Sequence, residues 1–220
     1  MTQAAAAAFL MLVLLFGGPW VTVQSTGAPE PQPARTAQEQ TDAPGADESS
    51  VLRVWNGTET VEMTMAAYLP GVVRGEMPAT FEEEALKAQA VAERTYIYYH
   101  LQRGGKANHP DADVCMDHTC CNAWTGAEQA AQKWGEQAEA YEAKIQEAVR
   151  ATDGQVMLYN GQLILAAFHS SSDGVTASCR DVWVQDLPYL ASVASPESGE
   201  SVPNYYSVRE FTAAEFQKIM

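Results

Sequence analysis

Apolar and polar residues alternate with a period of two in two stretches of the chain, as in half-buried β-strands. Residues 51–63 read VLRVWNGTETVEM, and Asn56-Gly57 separates the two alternating halves. An Asn-Gly pair between apolar runs is a strong signal for a β-hairpin. A second pair of strands is expected within Gly154–Phe168, about Asn160-Gly161. The sequence therefore predicts two small antiparallel sheets.

The apolar spacing changes to that of a helix after the first hairpin. The residues that share one helical face are Tyr68, Leu69, Val72 and Val73. Pro70 lies early enough to be tolerated in a first turn, whereas Pro78 cannot continue a helix. The helix should therefore end near Glu76.

A second helix is predicted to begin at Thr80, because Thr80 and Glu83 have the spacing of a capping box. Residues 82–84 are three consecutive glutamates, which complement the positive end of a helix. Gly104-Gly105 should end this helix. A long alanine-rich helix is expected within Gly126–Ala151.

The last residues, TAAEFQKIM, predict a short capped helix, and the preceding HSSSDGVTASCRDVW predicts a loop. Strand and helix signals therefore occur in the same domain. We expect an α+β fold: a single domain of helices packed on small antiparallel sheets, behind an N-terminal apolar helix.

The N-terminal quarter has a different composition. Ala4–Val23 carries no charge and is long enough to cross a hydrocarbon layer of about 30 Å. Residues 1–24 are therefore either an uncleaved membrane anchor or a cleaved signal peptide, and the lack of a preceding Lys or Arg favours the anchor. Residues 25–50, rich in Pro, Ala, Gln, Glu and Ser, predict a disordered linker. The domain, 51–220, should lie outside the cytoplasm, membrane-anchored or secreted.

The charge balance excludes one class of partner. The chain has 28 acidic and 13 basic residues among 220, a formal net charge of -15. Such a chain repels phosphate backbones, so nucleic acid is not expected to bind.

Glu76 stands apart from the neighbouring acidic residues. Glu82, Glu83 and Glu84 are explained by the start of a helix, but Glu76 lies at a predicted helix end, where negative charge is unfavourable. That position favours the protonated form that a general acid needs. A solvated charge at a helix end is the commoner case, so the pattern alone makes Glu76 a weak catalytic candidate.

Residues 68–96, YLPGVVRGEMPATFEEEALKAQAVAERTY, resemble the signature of the stage II sporulation protein D family, with its Glu-Met-Pro and Arg-Thr-Tyr steps. AAFHSSSDGVTASCRDVW and LPYLASVASP resemble two later family segments in the same order. The resemblance covers about residues 51–196. Family members continue into a Gly-His-Gly-Val-Gly stretch that has no counterpart here, so this chain is expected to lack the C-terminal part of the domain.

The resemblance implies a membrane-anchored lytic transglycosylase that acts with an amidase on peptidoglycan during spore engulfment. It would cleave MurNAc–GlcNAc bonds of glycan strands stripped of stem peptides, leaving 1,6-anhydro ends. Glu76 matches the family's catalytic glutamate, Arg94 its functional arginine and Tyr189 a tyrosine of the Pro-Tyr-Leu segment. The alternatives are a non-catalytic glycan-binding protein and a structural partner of the amidase.

Lytic transglycosylases need only one carboxyl group, whereas most glycosidases use two. The single group acts as an acid and then as a base on the 6-hydroxyl of the same sugar, which is held intramolecularly. His169, Ser170 and Ser171 could bind sugar hydroxyls, and Tyr96 belongs to the matching Arg-Thr-Tyr step. For Arg94, a salt bridge to Glu93 or Glu84 is the alternative to a contact with substrate or with Glu76.

The loop 108–121, NHPDADVCMDHTCC, concentrates cysteine and histidine. A structural zinc ion, a disulfide from Cys115 to Cys120 or Cys121, and free thiols all fit this composition. Some family members carry zinc here, which implies the ligands His109, Cys115, Cys120 and Cys121. Cys120 stands where those members have histidine, so His118 is the substitute. Cys179 has no evident partner.

Overall fold

The computed structural model describes residues 45–105, 109, 111–183, 185–199, 202 and 205–219. The predicted anchor or signal segment, 1–24, and residues 25–44 of the predicted linker lie outside them. All described residues belong to one unit, 36–220. Within them, no helix combines the length and apolar character needed to span a membrane.

Three strands form the larger sheet. Strands β1 (Val51–Trp55) and β2 (Thr60–Thr64) pair antiparallel, as the Asn-Gly signal predicted. Asn56 closes the turn, because its Oδ1 accepts from Thr58 N and Glu59 N at 2.9 and 3.0 Å. Strand β3 (Val114–Cys115) lies parallel to β1, so the sheet is mixed and not purely antiparallel. The parallel pairing arises because helices connect β1 to β3.

Helix α2 (Met65–Glu76) ends where Pro78 predicted. Its start differs from the prediction, since the Thr64 side chain accepts from Ala67 N at 3.2 Å and caps the helix there. Pro70 therefore lies inside α2, beyond the first turn in which it was expected.

Helix α3 (Glu83–Leu101) begins later than predicted. Phe81 N donates to Pro78 O at 3.0 Å, which makes residues 78–81 a turn, so the Thr80 capping box does not form. Lys87 Nζ instead lies 2.7 Å from a Glu83 oxygen and 2.9 Å from a Glu84 oxygen. After the helix, Gly104 and Gly105 have φ of 86° and 79°, as expected of glycines that end a helix.

The predicted long helix in 126–151 is two helices, α4 (Ala127–Trp134) and α5 (Ala138–Ala151), joined by a 3₁₀ turn at Gly135–Gln137. Gly135 has a φ of 56°, which glycine adopts readily and alanine does not. The sequence did not predict this break, because the residues on both sides of it favour a helix.

Helices α2, α3 and α5 pack on one another, and α4 packs on α5. The inner face of β1 and these helices enclose a core of fully buried side chains, among them Leu52, Val54, Met65, Leu69, Val73, Leu86 and Ile145.

A short helix, α1 (Ala46–Ser49), lies within the predicted linker. The Asp153 carboxylate accepts from the backbone N of Gly45, Ala46 and Asp47 at 2.7–2.9 Å, and these bonds cap its N-terminus. Residues 45–50 therefore belong to the folded part of the chain.

The C-terminal third contains little regular structure. Strands β4 (Leu158–Tyr159) and β5 (Gln162–Leu163) form the second predicted hairpin, with positive φ at Asn160 and Gly161. Helices α6 (Cys179–Val182) and α7 (Ala213–Ile219) follow. Thr212 and Glu215 cap α7 reciprocally, because Glu215 Oε2 accepts from Thr212 N at 2.8 Å. The expected α+β class with small sheets is confirmed.

Candidate functional site

Glu76 is the last residue of α2, and it is half-buried. Its Oε1 accepts a hydrogen bond from the backbone N of Ala123 at 2.5 Å. The carboxyl group is therefore held by a segment that follows the Cys/His loop, 47 positions further along the chain.

Two glycines allow that segment to lie against α2. A Cβ added at Gly71 would be 2.1 Å from Trp124 Nε1, and one added at Gly75 would be 2.5 Å from Ala123 O. Thr125 N donates to Gly71 O at 2.9 Å, which fixes the far end of the segment. Gly71 and Gly75 are four residues apart, so both face the same side of the helix. We call residues 122–125, which lie along this side, the clasp segment.

The Arg74 side chain binds the backbone of the clasp segment. Its Nη1 donates to Thr125 O at 3.0 Å, and its Nε and Nη2 donate to the two carboxylate oxygens of Glu142 on α5 at 2.9 and 2.8 Å. The Arg74 guanidinium holds the pKa of Glu142 below its ordinary value. One arginine thus ties α2, α5 and the clasp segment together beside Glu76.

A second carboxyl group, Glu93 of α3, lies behind the clasp segment and is fully buried. One Glu93 oxygen accepts from Gln89 Nε2 at 2.7 Å, and the other accepts from Asn122 Nδ2. Burial, together with the charge of Glu76, raises the pKa of Glu93 to about 8, although the hydrogen bonds from Gln89 and Asn122 act in the opposite direction. The sequence offered Glu93 only as a partner for Arg94, so this cluster was missed.

The raised pKa of Glu93 predicts a pH-dependent stability. The folded protein holds this proton to a higher pH than the unfolded chain, so wild-type stability falls as pH rises from about 4.5 to about 8. Glu93→Gln keeps a neutral side chain of similar size. Its advantage in unfolding free energy over the wild type should grow across that window by at most about 1.4 kcal/mol per pH unit.

Urea unfolding of both proteins at several pH values in this window measures the effect. Glu84→Gln is the matched control on the same helix, since the Glu84 side chain is 85% exposed. The difference in unfolding free energy between this variant and the wild type should not change with pH. Parallel stability curves for Glu93→Gln and the wild type would contradict the assignment.

Arg94 lies on the same helix as Glu93 but makes different contacts. It is fully buried, and its Nε and Nη2 donate to Asp47 of α1 at 2.9 and 2.7 Å. Its Nη1 donates to Gln155 O at 3.1 Å. The alternative interpretation, a salt bridge to Glu93 or Glu84, is wrong, because the partner is Asp47, from residues that were predicted to be a linker. The structure brings Arg94 to this pair and not to Glu76.

Two of the residues expected to bind sugar, His169 and Ser171, line a pocket together with Tyr189, the tyrosine that the family resemblance marked as a catalytic candidate. The pocket has a volume of about 610 Å³, with Phe168, Trp183 and Leu190 among its apolar walls. Tyr189 Oη accepts from Leu165 N at 3.2 Å, which fixes the ring. Ser170 is exposed and is not part of the lining, and neither is Glu76.

Ser171 does not present a free hydroxyl to that pocket. Its Oγ donates to a Glu197 oxygen at 2.6 Å, and Ser195 Oγ donates to the other oxygen at 2.7 Å. These hydroxyl donors lower the pKa of Glu197 to about 2. Glu197 therefore links Ser171 to Ser195 through hydrogen bonds. Its local sequence, Pro-Glu-Ser, did not indicate this role.

Tyr96 is half-buried on α3 and meets the ring of His100 edge-on, with centroids 4.4 Å apart. Cys179, which had no predicted partner, is buried against the Leu187 backbone, whose N donates to Cys179 Sγ at 3.0 Å.

The Cys/His loop folds its candidate ligands together. One ligand atom each of His109, Cys115 and Cys120 lies within 4.8 Å of the others. Tetrahedral zinc, with Zn–S of about 2.3 Å and Zn–N of about 2.0 Å, places its ligand atoms roughly 3.5–3.8 Å apart. A shift of about 1 Å would therefore bring these atoms to zinc distances, and the residues present fit the ion.

The remaining cysteine and histidine of the loop differ in position. Cys121 Sγ accepts from Cys115 N at 3.3 Å, and burial raises the pKa of the Cys121 thiol to about 12. His118 is 78% exposed and lies 3.9 Å from an Asp117 oxygen. The structure thus brings Cys120 to the cluster and leaves His118, the predicted substitute, at the surface. No disulfide joins Cys115, Cys120, Cys121 or Cys179, all of which lie in the described part of the chain.

The helix-end glutamate, its clasp segment and the Cys/His cluster all lie in the part of the chain that matches a known family. Residues 56–159 match the family model of the stage II sporulation protein, SpoIID. Residues 56–159 of the chain therefore form a domain of the SpoIID family.

Two named relatives of the chain are proteins of Bacillus subtilis (strain 168). Its stage II sporulation protein D is 40% identical over 151 residues, which cover 69% of this chain and 44% of that protein. Its amidase enhancer is 37% identical over 122 residues, which cover 56% of this chain and 14% of that protein. The stage II sporulation protein D of Bacillus amyloliquefaciens is 38% identical over 152 residues, with 69% and 44% coverage. The chain thus spans less than half the length of these relatives.

Proposed function

We propose that this domain is a lytic transglycosylase that cleaves MurNAc–GlcNAc bonds of denuded glycan strands during remodelling of the cell wall in sporulation. The observation that carries the proposal is Glu76, a half-buried carboxyl group at the end of α2 with one oxygen held by Ala123 N. Because the backbone fixes one oxygen, the other has a defined direction from which to exchange a proton. The names of the relatives, stage II sporulation protein D and amidase enhancer, support the setting.

The proposed chemistry needs only one carboxyl group, and Glu76, which is half-buried, supplies it. Glu76 donates its proton to the glycosidic oxygen as the C1–O bond of MurNAc breaks. The resulting carboxylate then takes the proton of the MurNAc 6-hydroxyl as O6 bonds to C1, which closes the 1,6-anhydro ring and regenerates the acid. Glu93 is fully buried, so it is not placed to act as the second carboxylate of a hydrolase.

The setting of the proposed reaction is the outer side of a membrane. The apolar segment 1–24 would anchor or export the domain, and a cell-wall amidase would supply strands without stem peptides.

The decisive experiment is a digest of purified, peptide-free glycan strands with mass detection of the new ends. Anhydro ends support the proposal, whereas reducing ends would identify a hydrolase. Binding to the strands without new ends would identify the non-catalytic alternative, which the pocket beside His169 and Tyr189 could serve.

The proposal includes a structural zinc ion held by His109, Cys115 and Cys120, with Cys121 adjacent. When bound, zinc would supply cross-linking of the loop and no reaction step. Since Ala123 follows Cys121 by two positions, an ordered loop would also order the clasp segment.

Cys115→Ser is expected to lose the metal and lower the melting temperature, because a structural site contributes its binding free energy to folding. Elemental analysis should find stoichiometric zinc in the wild type and little in the variant. Cys179→Ser, another buried cysteine outside the cluster, should keep the metal. Metal-free wild-type protein with a disulfide by mass would refute the zinc site.

A further inference from the structure

We propose that Glu93 is a positioning residue for Glu76, acting through Asn122 and the Ala123 N–H of the clasp segment. The inference rests on the proposed function, because it assigns Glu93 a part in the reaction of Glu76. It follows from a continuous set of contacts between the two carboxyl groups.

The contacts run through adjacent residues. Glu93 accepts from the side-chain amide of Asn122, and the very next residue, Ala123, donates its backbone N–H to Glu76 at 2.5 Å. The orientation of the 122–123 peptide therefore decides whether that N–H points at Glu76. Glu93 holds the Asn122 side chain next to this peptide, and Gly75 leaves room for the Ala123 carbonyl.

Glu93 is itself held firmly in place. Gln89, one turn earlier on α3, donates to its second oxygen at 2.7 Å, and both side chains are buried. Asn122 is only 9% exposed, so water does not readily replace Glu93 as its acceptor. A buried amide without an acceptor is costly, which ties the rotamer of Asn122 to Glu93.

Packing of α3 alone would not require a carboxyl group at position 93. An apolar side chain could fill the same core position on α3 without burying a carboxyl group. The Glu93 carboxyl group instead holds Asn122, whose neighbour Ala123 donates its backbone N–H to Glu76. It cannot touch a sugar, so its effect should appear in turnover and not in substrate binding.

The first test observes the Ala123 amide directly. In NMR spectra the Ala123 N–H should show a low-field shift and slow hydrogen exchange in the wild type. Glu93→Ala should abolish the low-field shift and speed exchange at Ala123 by about tenfold or more, while amides in the core of α3 stay protected. Glu93→Gln should restore both signals, since its carbonyl oxygen can still accept from Asn122 and its NH2 group can donate to Gln89 once the Gln89 amide flips.

Asn122→Ala provides the same test if Glu93→Ala does not fold, because it removes the link and leaves Glu93 paired with Gln89. An unchanged Ala123 amide in a folded Glu93→Ala or Asn122→Ala variant would overturn the proposal.

The second test measures turnover of denuded glycan strands. Glu93→Ala should lower kcat by about tenfold or more with KM nearly unchanged, and Glu93→Gln should recover most of the loss. Glu84→Gln, an exposed change on the same helix, is the control. An equal loss in the Ala and Gln variants, or a change in KM alone, would count against positioning.

The two tests separate the proposals. Wild-type protein that makes no anhydro ends but shows the Ala123 response would reject the transglycosylase assignment and keep the positioning contact. Anhydro ends without a change at the Ala123 amide would support the transglycosylase assignment and reject the positioning role of Glu93.

Discussion

Glu76→Gln should reduce the formation of 1,6-anhydro ends by between about 10² and 10⁴-fold, the range for losing a general acid–base group. Gln cannot donate a proton to the glycosidic oxygen as an acid, nor take one from the 6-hydroxyl. Its carbonyl oxygen can still accept from Ala123 N, so the clasp segment should stay in place. The rate loss should therefore appear without a large change in melting temperature.

The measurement is the initial rate of anhydro-end formation on peptide-free strands, with circular dichroism to verify the fold. Glu84→Gln and Glu82→Gln are matched controls, because they remove charges at the nearby helix start and should retain wild-type rates. A Glu76→Gln protein with wild-type activity would end the assignment of Glu76 as the acid. KM should change little, because the lost interaction belongs to the transition state.

The second large effect concerns Arg94 and Asp47. Arg94→Ala should destabilise the domain by about 3–5 kcal/mol, since it leaves a buried carboxylate without its partner. For a domain of this size that corresponds to a fall in melting temperature of roughly 10 °C. The Asp47 side chain is 3% exposed and has no access to water that could compensate. Arg53→Ala is the control, because Arg53 is 52% exposed in its pair with Asp113 and the loss of an exposed pair should change stability little.

Asp47→Ala separates a structural from a functional role of Arg94. If Arg94 acts only by joining α1 to α3, both variants should lose stability and both should keep turnover at a temperature where they remain folded. If Arg94 also serves the reaction, as the family resemblance implies, Arg94→Ala alone should lose turnover. Turnover per folded molecule, measured well below the lower melting temperature, distinguishes these outcomes.

Local patterns were enough to predict several elements. The hairpin about Asn56-Gly57 and the end of α2 at Glu76 depend on residues whose backbone preferences are strong and short-range. The start of α3 was misplaced because the Pro78–Phe81 turn competes with the Thr80 cap, and no local rule weighs one against the other.

The long-range contacts of Arg94 and Glu93 could not be predicted in the same way. Asp47 meets Arg94, and Asn122 meets Glu93, across separations of 47 and 29 positions, and composition alone assigned Asp47 to a linker. Such pairs depend on how α1 and the clasp segment pack, which a single sequence does not reveal. The Cys/His cluster was easier to predict, because its candidate ligands lie within thirteen positions of one another.

The two glycines of α2 set a limit on engineering this domain for stability. Each glycine inside a helix costs about 1 kcal/mol relative to alanine, so a propensity-based redesign would replace both Gly71 and Gly75. Either replacement would push a methyl group into Trp124 or the Ala123 carbonyl and displace the backbone that holds Glu76. Stabilised variants selected only for heat resistance would therefore have to gain their stability elsewhere, for example by replacing the buried carboxyl group of Glu93 at some cost in turnover.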